Sequence, residues 1–179
     1  LRLGEIQTSE MGFGLEGLLQ LRKDHLFGIL NGVAYASWDP ANDPALPAPY
    51  TSKQLANKKL SKKAILKDYG LPVSKDVPLF GLVTRLADQK GFDILADILP
   101  AFLEGNSQWV ILGTGDSKYH TLLEDLHKKH PKVLGIALKF DAQLAQRIYA
   151  GSDYFSMPSR YEPCGLGQLI SFRYGTIPV

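Results

Sequence analysis

The sequence predicts an α/β fold, a parallel sheet with helices on both faces. Three observations carry that expectation: five short apolar runs, a helical pattern in each gap between them, and polar or glycine-rich residues directly after the runs. The runs are Leu79–Val83, Trp109–Leu112, Val133–Leu138, Tyr154–Met157 and Ile177–Val179. Strand alternating with helix implies right-handed crossovers, and crossovers on both sides bury the strands between helices.

Taken from the N-terminus, the first 78 residues are less regular. Met11 to Leu21 reads as a short amphipathic helix with Phe13, Leu15, Leu18 and Leu19 on one side, and Phe27-Gly28-Ile29-Leu30 as a strand ending at Asn31-Gly32. WDPANDPALPAPY then places four prolines between Trp38 and Tyr50. Proline blocks both helix and central strand, so a tied-down linker of polyproline type is expected. Leu55 to Tyr69 reads as a basic helix stopped by Gly70 and Pro72, its five lysines forming a solvated face.

The regular part follows. Phe92, Ile94, Leu95, Ile98, Leu99, Phe102 and Leu103 recur at helical spacing between the first two strands, with a kink expected at Pro100. Tyr119, Leu122, Leu123 and Leu126 mark the next helix; Leu144 and Ile148 mark the third, with Asp141 as its N-cap. A last helix can begin near Gly165 and lead to the final strand.

Composition excludes several classes. The chain has 179 residues, 45% hydrophobic and 21% charged, with a formal net charge of +2. That is an ordinary globular balance, too weak in charge to suggest nucleic acid or a membrane surface. No run of about 18 apolar residues could span a bilayer, and the first residues lack the order of a signal peptide. The single cysteine forms no internal disulfide, which fits a reducing compartment. The chain starts at Leu1 and stops within an apolar run, so a fold incomplete at both ends is expected.

In an open parallel sheet, ligands bind beyond the carboxyl ends of the strands, and the polar residues gather there. After the first strand, TRLADQKG offers Arg85 as a fork for two phosphate oxygens and Lys90 as a point charge, ahead of free helix amides beyond Gly91. The alternative is surface charge. After the second strand, Gly113-Thr114-Gly115-Asp116 lacks a third glycine, so it reads as a close approach of backbone or ligand rather than a dinucleotide fingerprint. Phe140 precedes the Asp141 cap, where its ring could stack on a base or pack in the core.

The fourth such position is PSRYEPCGLGQ, Pro158 to Gln168. Here Pro158 and Pro163 stiffen the chain, Gly165, Leu166 and Gly167 offer amides to an anion, and Glu162 suits hydroxyls or developing positive charge. Arg160 could pair with Glu162. Cys164 reads as a small buried or ligand-lining residue rather than a thiolate nucleophile. His127 and His130 have no third ligand, so no metal is expected. No Gly-x-Ser-x-Gly elbow supports a serine triad. Together these groups outline a pocket for a diphosphate ester, with a flat base at one end and a hydroxylated group at the other.

The same residues resemble the bacterial glycogen synthase and plant starch synthase family, glucosyltransferases with the two-domain GT-B fold. The likeness runs through EIQT at Glu5–Thr8, GFGLEGLL at Gly12–Leu19, GILNG at Gly28–Gly32, WDPANDP at Trp38–Pro44, TRLADQKG at Thr84–Gly91, LGTGD at Leu112–Asp116, AGSD at Ala150–Asp153, PSRYEPCGL at Pro158–Leu166 and RYGTIPV at Arg173–Val179. The resemblance implies a Rossmann-like C-terminal half of GT-B over residues 48–179, with 1–47 the remnant of an N-terminal acceptor domain and the linker. It implies transfer of glucose from ADP-glucose, or UDP-glucose in some members, to the non-reducing end of an α-1,4-glucan with retention, without cofactor or metal. Arg85, Lys90 and Glu162 would be the catalytic groups, the first two on the diphosphate and Glu162 on the donor sugar. Asn31, Gly113, Phe140, Cys164, Gly165 and Leu166 would bind the donor.

The sequence departs from that family at three places. Gly167 stands where Asn or Thr is frequent, Val33-Ala34 replaces Ile-Asp, and Ile170 occupies the position of a second Glu used by other GT-B transferases but not by the synthases. The acceptor glucan would be bound by an N-terminal domain absent from this sequence, so the 179 residues alone should bind ADP but transfer little glucose. The resemblance implies no nucleic-acid or membrane partner, and a cytoplasmic location in a bacterium or a plastid location in a plant or alga. The alternative function is a non-catalytic, glucan-associated or interaction module derived from a synthase.

Overall fold

The computed structural model describes residues 3–160, 162 and 164–179. The five apolar runs form strands β1 (Leu79–Val83), β2 (Gln108–Leu112), β3 (Leu134–Ala137), β4 (Tyr154–Phe155) and β5 (Ile177–Pro178). All pairings are parallel, in the order β3-β2-β1-β4-β5. Six α-helices accompany them: α1 (Glu16–Leu21), α2 (Lys58–Asp68), α3 (Phe92–Glu104), α4 (Ser117–Lys129), α5 (Ala142–Gly151) and α6 (Leu166–Arg173).

Alternation along the strands sorts the core into two layers, because successive side chains point to opposite faces. Trp109 and Ile111 join Leu82, Phe92, Leu99 and Leu123 under α3 and α4. Val110 and Leu112 join Ile65, Ile148, Phe155 and Ile170 under α2, α5 and α6. The Asp141 cap forms as expected, its Oδ1 accepting from the Leu144 amide at 2.9 Å. Pro100 lies inside α3, where it cannot donate to the helix ladder.

Four expectations for the N-terminal part need correction. The first helix begins only at Glu16, because Phe13 (φ 51°) and Gly14 (φ 86°) take left-handed backbone that a helix cannot contain. Residues 27–30 form no strand. Among the described residues nothing pairs with them, and Phe27, Ile29 and Leu30 are more than 80% exposed. The proline-rich segment is a chain of turns rather than a polyproline helix. Asp39 Oδ1 accepts from the Ala41 amide (3.4 Å) and Asp43 Oδ1 from the Ala45 amide (2.9 Å), the Asx geometry that competes with extended chain. Finally, two of the five lysines on α2 are tethers. Lys58 Nζ donates to Ala150 O (2.8 Å) and Thr176 Oγ1 (2.7 Å), and Lys62 Nζ to Val77 O (2.7 Å) and Asp153 (2.6 Å). Burial pushes the Lys58 ammonium down to about 8. Among the described residues no helix is long and apolar enough to cross a membrane.

Candidate functional site

The strand order places β1 beside β4, and their following helices, α3 and α6, pack on opposite faces of the sheet. The chain leaving β1 and the chain leaving β4 therefore run to helices on opposite faces, and a crevice opens at the carboxyl edge of the sheet. Two adjoining clefts occupy it. The larger, about 730 Å³, is lined by Trp38, Gly113, Phe140, Asp141, Tyr149 and Ile170 among others. The smaller, about 240 Å³, is lined by Lys90, Ser159 and Glu162. Val83, Thr84, Arg85, Tyr149, Leu166 and Gly167 line both, so the two clefts share a wall.

The loop after β1 is held from several sides. A 3-10 turn over Asp88–Lys90 ends at Gly91, whose φ of 66° is left-handed. A Cβ there would lie 1.8 Å from the carbonyl oxygen of Pro158, so only glycine lets this loop meet the one after β4. Tyr119 OH and Lys118 Nζ both donate to Asp88, and these bonds hold its carboxyl below the usual carboxylate range. Gln89 accepts from Arg85 Nη2 through its side chain (2.6 Å) and from the Arg160 amide through its carbonyl (3.2 Å). Lys90 Nζ donates to Glu162 Oε2 at 2.7 Å, and Ser159 Oγ reaches the same oxygen at 3.2 Å.

Arg160 does not pair with Glu162. Its guanidinium forks onto Asp93 at the start of α3 (Nη2 to Oδ2, 2.5 Å), while Glu162 is taken by Lys90. Arg85 forms no ion pair among the described residues, which leaves it as the free cation at the junction of the two clefts.

Beyond β2, the glycines answer to backbone. A Cβ on Gly113 would lie 2.1 Å from Thr84 O, and one on Gly115 2.3 Å from Leu86 O. The two loops hydrogen-bond there, Leu86 N to Thr114 O (3.0 Å) and Asp116 N to Leu86 O (2.9 Å). Phe140 is 89% exposed, so the core-packing alternative falls, and its ring forms a wall of the larger cleft.

At the start of α6, Gly165 is the N-cap with φ 64°, and Leu166 and Gly167 follow in the first turn, where amides have no carbonyl to reach within the helix. Cys164 is exposed rather than buried and accepts from Asn31 Nδ2 at 3.3 Å. Neither Asn31 nor Cys164 lines the clefts; the two meet each other beside them. Pro163, expected to stiffen this mouth, lies outside the described residues, as does Tyr161. His127 Nδ1 lies 2.7 Å from Leu134 O, and among the described residues no group of three acidic, histidine or cysteine side chains could hold a metal.

Sequence reasoning missed Trp38 and Tyr149. Tyr149 links the clefts, and burial, then the charge of Glu162, pushes its phenol well above the ordinary range. No local signal separates it from the core residue Ile148 beside it on α5. Trp38 carried a signal, an aromatic residue set just before a rigid proline-rich run.

The arrangement can bind a dianion between Arg85, Lys90 and the α6 amides, a flat ring beside Phe140, and hydroxyls at Glu162. Comparison with known proteins bears on what such a ligand is. The sequence model of glycosyl transferases group 1 matches residues 77–179. Glycogen synthase of Thermosipho africanus (strain TCF52B) is 49% identical over 175 residues, 98% of this chain and 36% of the relative. That of Anaeromyxobacter dehalogenans (strain 2CP-C) is 51% identical over 98% of this chain and 37% of its own length. The catalytic domain of starch synthase IV from Arabidopsis thaliana, solved bound to ADP and acarbose, superposes with a TM-score of 0.91 at 38% identity. That match covers 98% of this chain and 36% of that one, so the chain spans little more than a third of the length of these three relatives.

Proposed function

The chain belongs to the group 1 glycosyl transferases, and on that premise we propose that it is the donor-binding part of a glycogen or starch synthase. The reaction is transfer of glucose from ADP-glucose to the non-reducing end of an α-1,4-glucan, with retention. The observation that carries the reading is the junction of the two clefts, where one uncompensated cation, a Lys–Glu pair and the first turn of α6 converge.

The chemistry follows from charge. Cleaving the glycosidic bond to a nucleoside diphosphate leaves negative charge on the β-phosphate, and preorganised donors at that position lower the barrier. Arg85 can present two parallel N–H groups, Lys90 adds a point charge, and the amides of Leu166 and Gly167 lie at the positive end of α6. These charges take the role a divalent cation fills in other phosphate chemistry, so the reaction proposed is metal-free. Glu162 would receive sugar hydroxyls, and Phe140 would cover one face of the base. The starch synthase neighbour, solved with ADP and acarbose, supports nucleotide and glucan as partners. The setting proposed is the cytoplasm of a bacterium, since both glycogen synthases named are bacterial.

Calorimetric titration of ADP into the 179-residue chain tests this. Saturable binding is expected, weakened by Arg85→Ala and Lys90→Ala, each charge-assisted contact contributing about 1.5–3 kcal/mol. Absence of saturable binding, or binding indifferent to the double substitution, would refute it. Transfer of glucose by these residues alone should be slight, because the acceptor is proposed to be held by other parts of the whole protein.

A further inference from the structure

Trp38 lies 45 residues ahead of the end of β1, outside every strand and helix, yet it lines the larger cleft with Phe140 and Tyr149. Its ring stands edge-on to Tyr149 (centroids 5.7 Å apart, 87°) and to Tyr174 (6.3 Å, 80°). Aromatic rings in that T arrangement hold each other's orientation as well as their separation.

The backbone around it is fastened to α5 and α6. Gln146 Nε2 donates to Ser37 O (3.1 Å), and Arg173 donates to both Trp38 O (3.3 Å) and Asp39 Oδ1 (2.5 Å). Tyr174 OH donates to the buried Asp43 (2.5 Å), and Tyr50 OH to the Tyr174 carbonyl (2.9 Å). A segment that only connected two parts of a chain would not require five tethers, one to a buried carboxylate. Their joint effect is to fix the position of one half-buried indole in the wall of the larger cleft.

We propose that Trp38 forms the second aromatic wall of the base site, with Phe140, and makes the site favour a purine over a pyrimidine nucleoside diphosphate. The inference rests on reading the cleft as a nucleoside diphosphate site. The physical basis is contact area: the bicyclic base buries more surface between aromatic walls than a single ring does, and the charged side chains at this end, Lys139 and Asp141, already pair with each other at 2.8 Å. The ring of Trp38 packs on Tyr149 and Tyr174 and its carbonyl accepts from Arg173, with no contact to Arg85 or Lys90 among the described residues, so its effect should appear only when a base is present.

The test compares ADP, UDP and inorganic pyrophosphate binding by the wild type, Trp38→Ala and Trp38→Phe. Alanine should weaken ADP about tenfold, the size of a lost base–aromatic contact, weaken UDP by a smaller factor, and leave pyrophosphate unchanged. Phenylalanine should recover most of the ADP affinity. Trp109 is 2% exposed in the core, so a change in tryptophan emission on adding ADP should come from Trp38 and vanish in Trp38→Phe. Equal weakening of ADP and pyrophosphate would reveal a purely structural role and overturn the proposal. So would an unchanged ADP affinity, or equal losses for ADP and UDP. If the wild type bound none of the three ligands, the nucleotide reading itself would fall, a result distinct from a wild type that binds and variants that do not discriminate.

Discussion

Glu162→Gln removes one charge from the cleft and keeps the shape of the side chain. Lys90 Nζ lies 2.7 Å from Glu162 Oε2, and the two side chains are 23% and 28% exposed, so the pair is partly desolvated. At an effective dielectric near 20, unit charges about 4 Å apart attract by about 4 kcal/mol; desolvation and side-chain ordering offset much of this, leaving about 1–2 kcal/mol. A diphosphate that recruits Lys90 must overcome that pairing. With glutamine at 162 the ammonium is released, and ADP should bind roughly 5- to 30-fold more tightly. Glucose transfer by the whole protein should fall, since the donor sugar loses its proposed carboxylate partner. Calorimetry on the wild type, Glu162→Gln, Lys90→Ala and the double variant separates local competition from a general field effect. The gain should disappear when Lys90 is alanine. A Glu162→Gln protein that binds ADP no better, or the same gain persisting without Lys90, would refute the argument.

Two further outcomes follow from packing and burial. Gly91→Ala should cost about 2–4 kcal/mol in urea unfolding, since its Cβ would collide with Pro158 O at 1.8 Å on left-handed backbone; Gly167→Ala should be neutral or stabilise α6 by up to about 1 kcal/mol, its nearest neighbours being 3.4–3.5 Å away. For pH, the folded chain gives up the Lys58 proton at about 8 while the unfolded chain keeps it to about 10.5, so thermal stability should rise from about pH 8 to pH 10. Above about pH 10 the raised phenols of Tyr50, Tyr149 and Tyr174 stay protonated while their unfolded counterparts ionise, and stability should fall. Lys58→Met should abolish the rise and keep the fall; a rise that survives the substitution would assign it elsewhere.

The sheet was legible because its signals are local. Each apolar run and each helical gap is read within about a dozen residues, and all five strands formed where the runs lie. Partners of charged groups were not legible, because they are chosen through space. Arg160 lies two residues from Glu162, yet Asp93, 67 positions away, offers a carboxylate at the start of α3 that the fork can meet with two nitrogens. Lys58 and Lys62 share the composition of a solvated face with their neighbours, but α2 lies against α5, and that contact turns both ammonium groups toward carbonyls and Asp153. Phe13, Leu15 and Leu18 show the opposite case. Their apolar pattern predicts a buried face, but all three remain more than half exposed in the described structure.

The same distinction explains why residues at the strand ends could be picked out from sequence while Trp38 and Tyr149 could not. Arg85, Lys90, Glu162 and Leu166 could be singled out because strand ends in a parallel sheet are where ligands bind, a rule that needs only the element order. That rule says nothing about which strands become neighbours. Placing β1 between β2 and β4 is what joins the loop of Arg85 to the loop of Glu162, and Gly91 is the residue that permits the contact. Trp38 belongs to no strand end, so no such rule finds it. It reaches the cleft because Asp39 and Asp43 bind Arg173 and Tyr174, residues more than 130 positions later in the chain. Replacing either anchor should therefore loosen the base end of the cleft while leaving the ion pair of Lys90 with Glu162 intact.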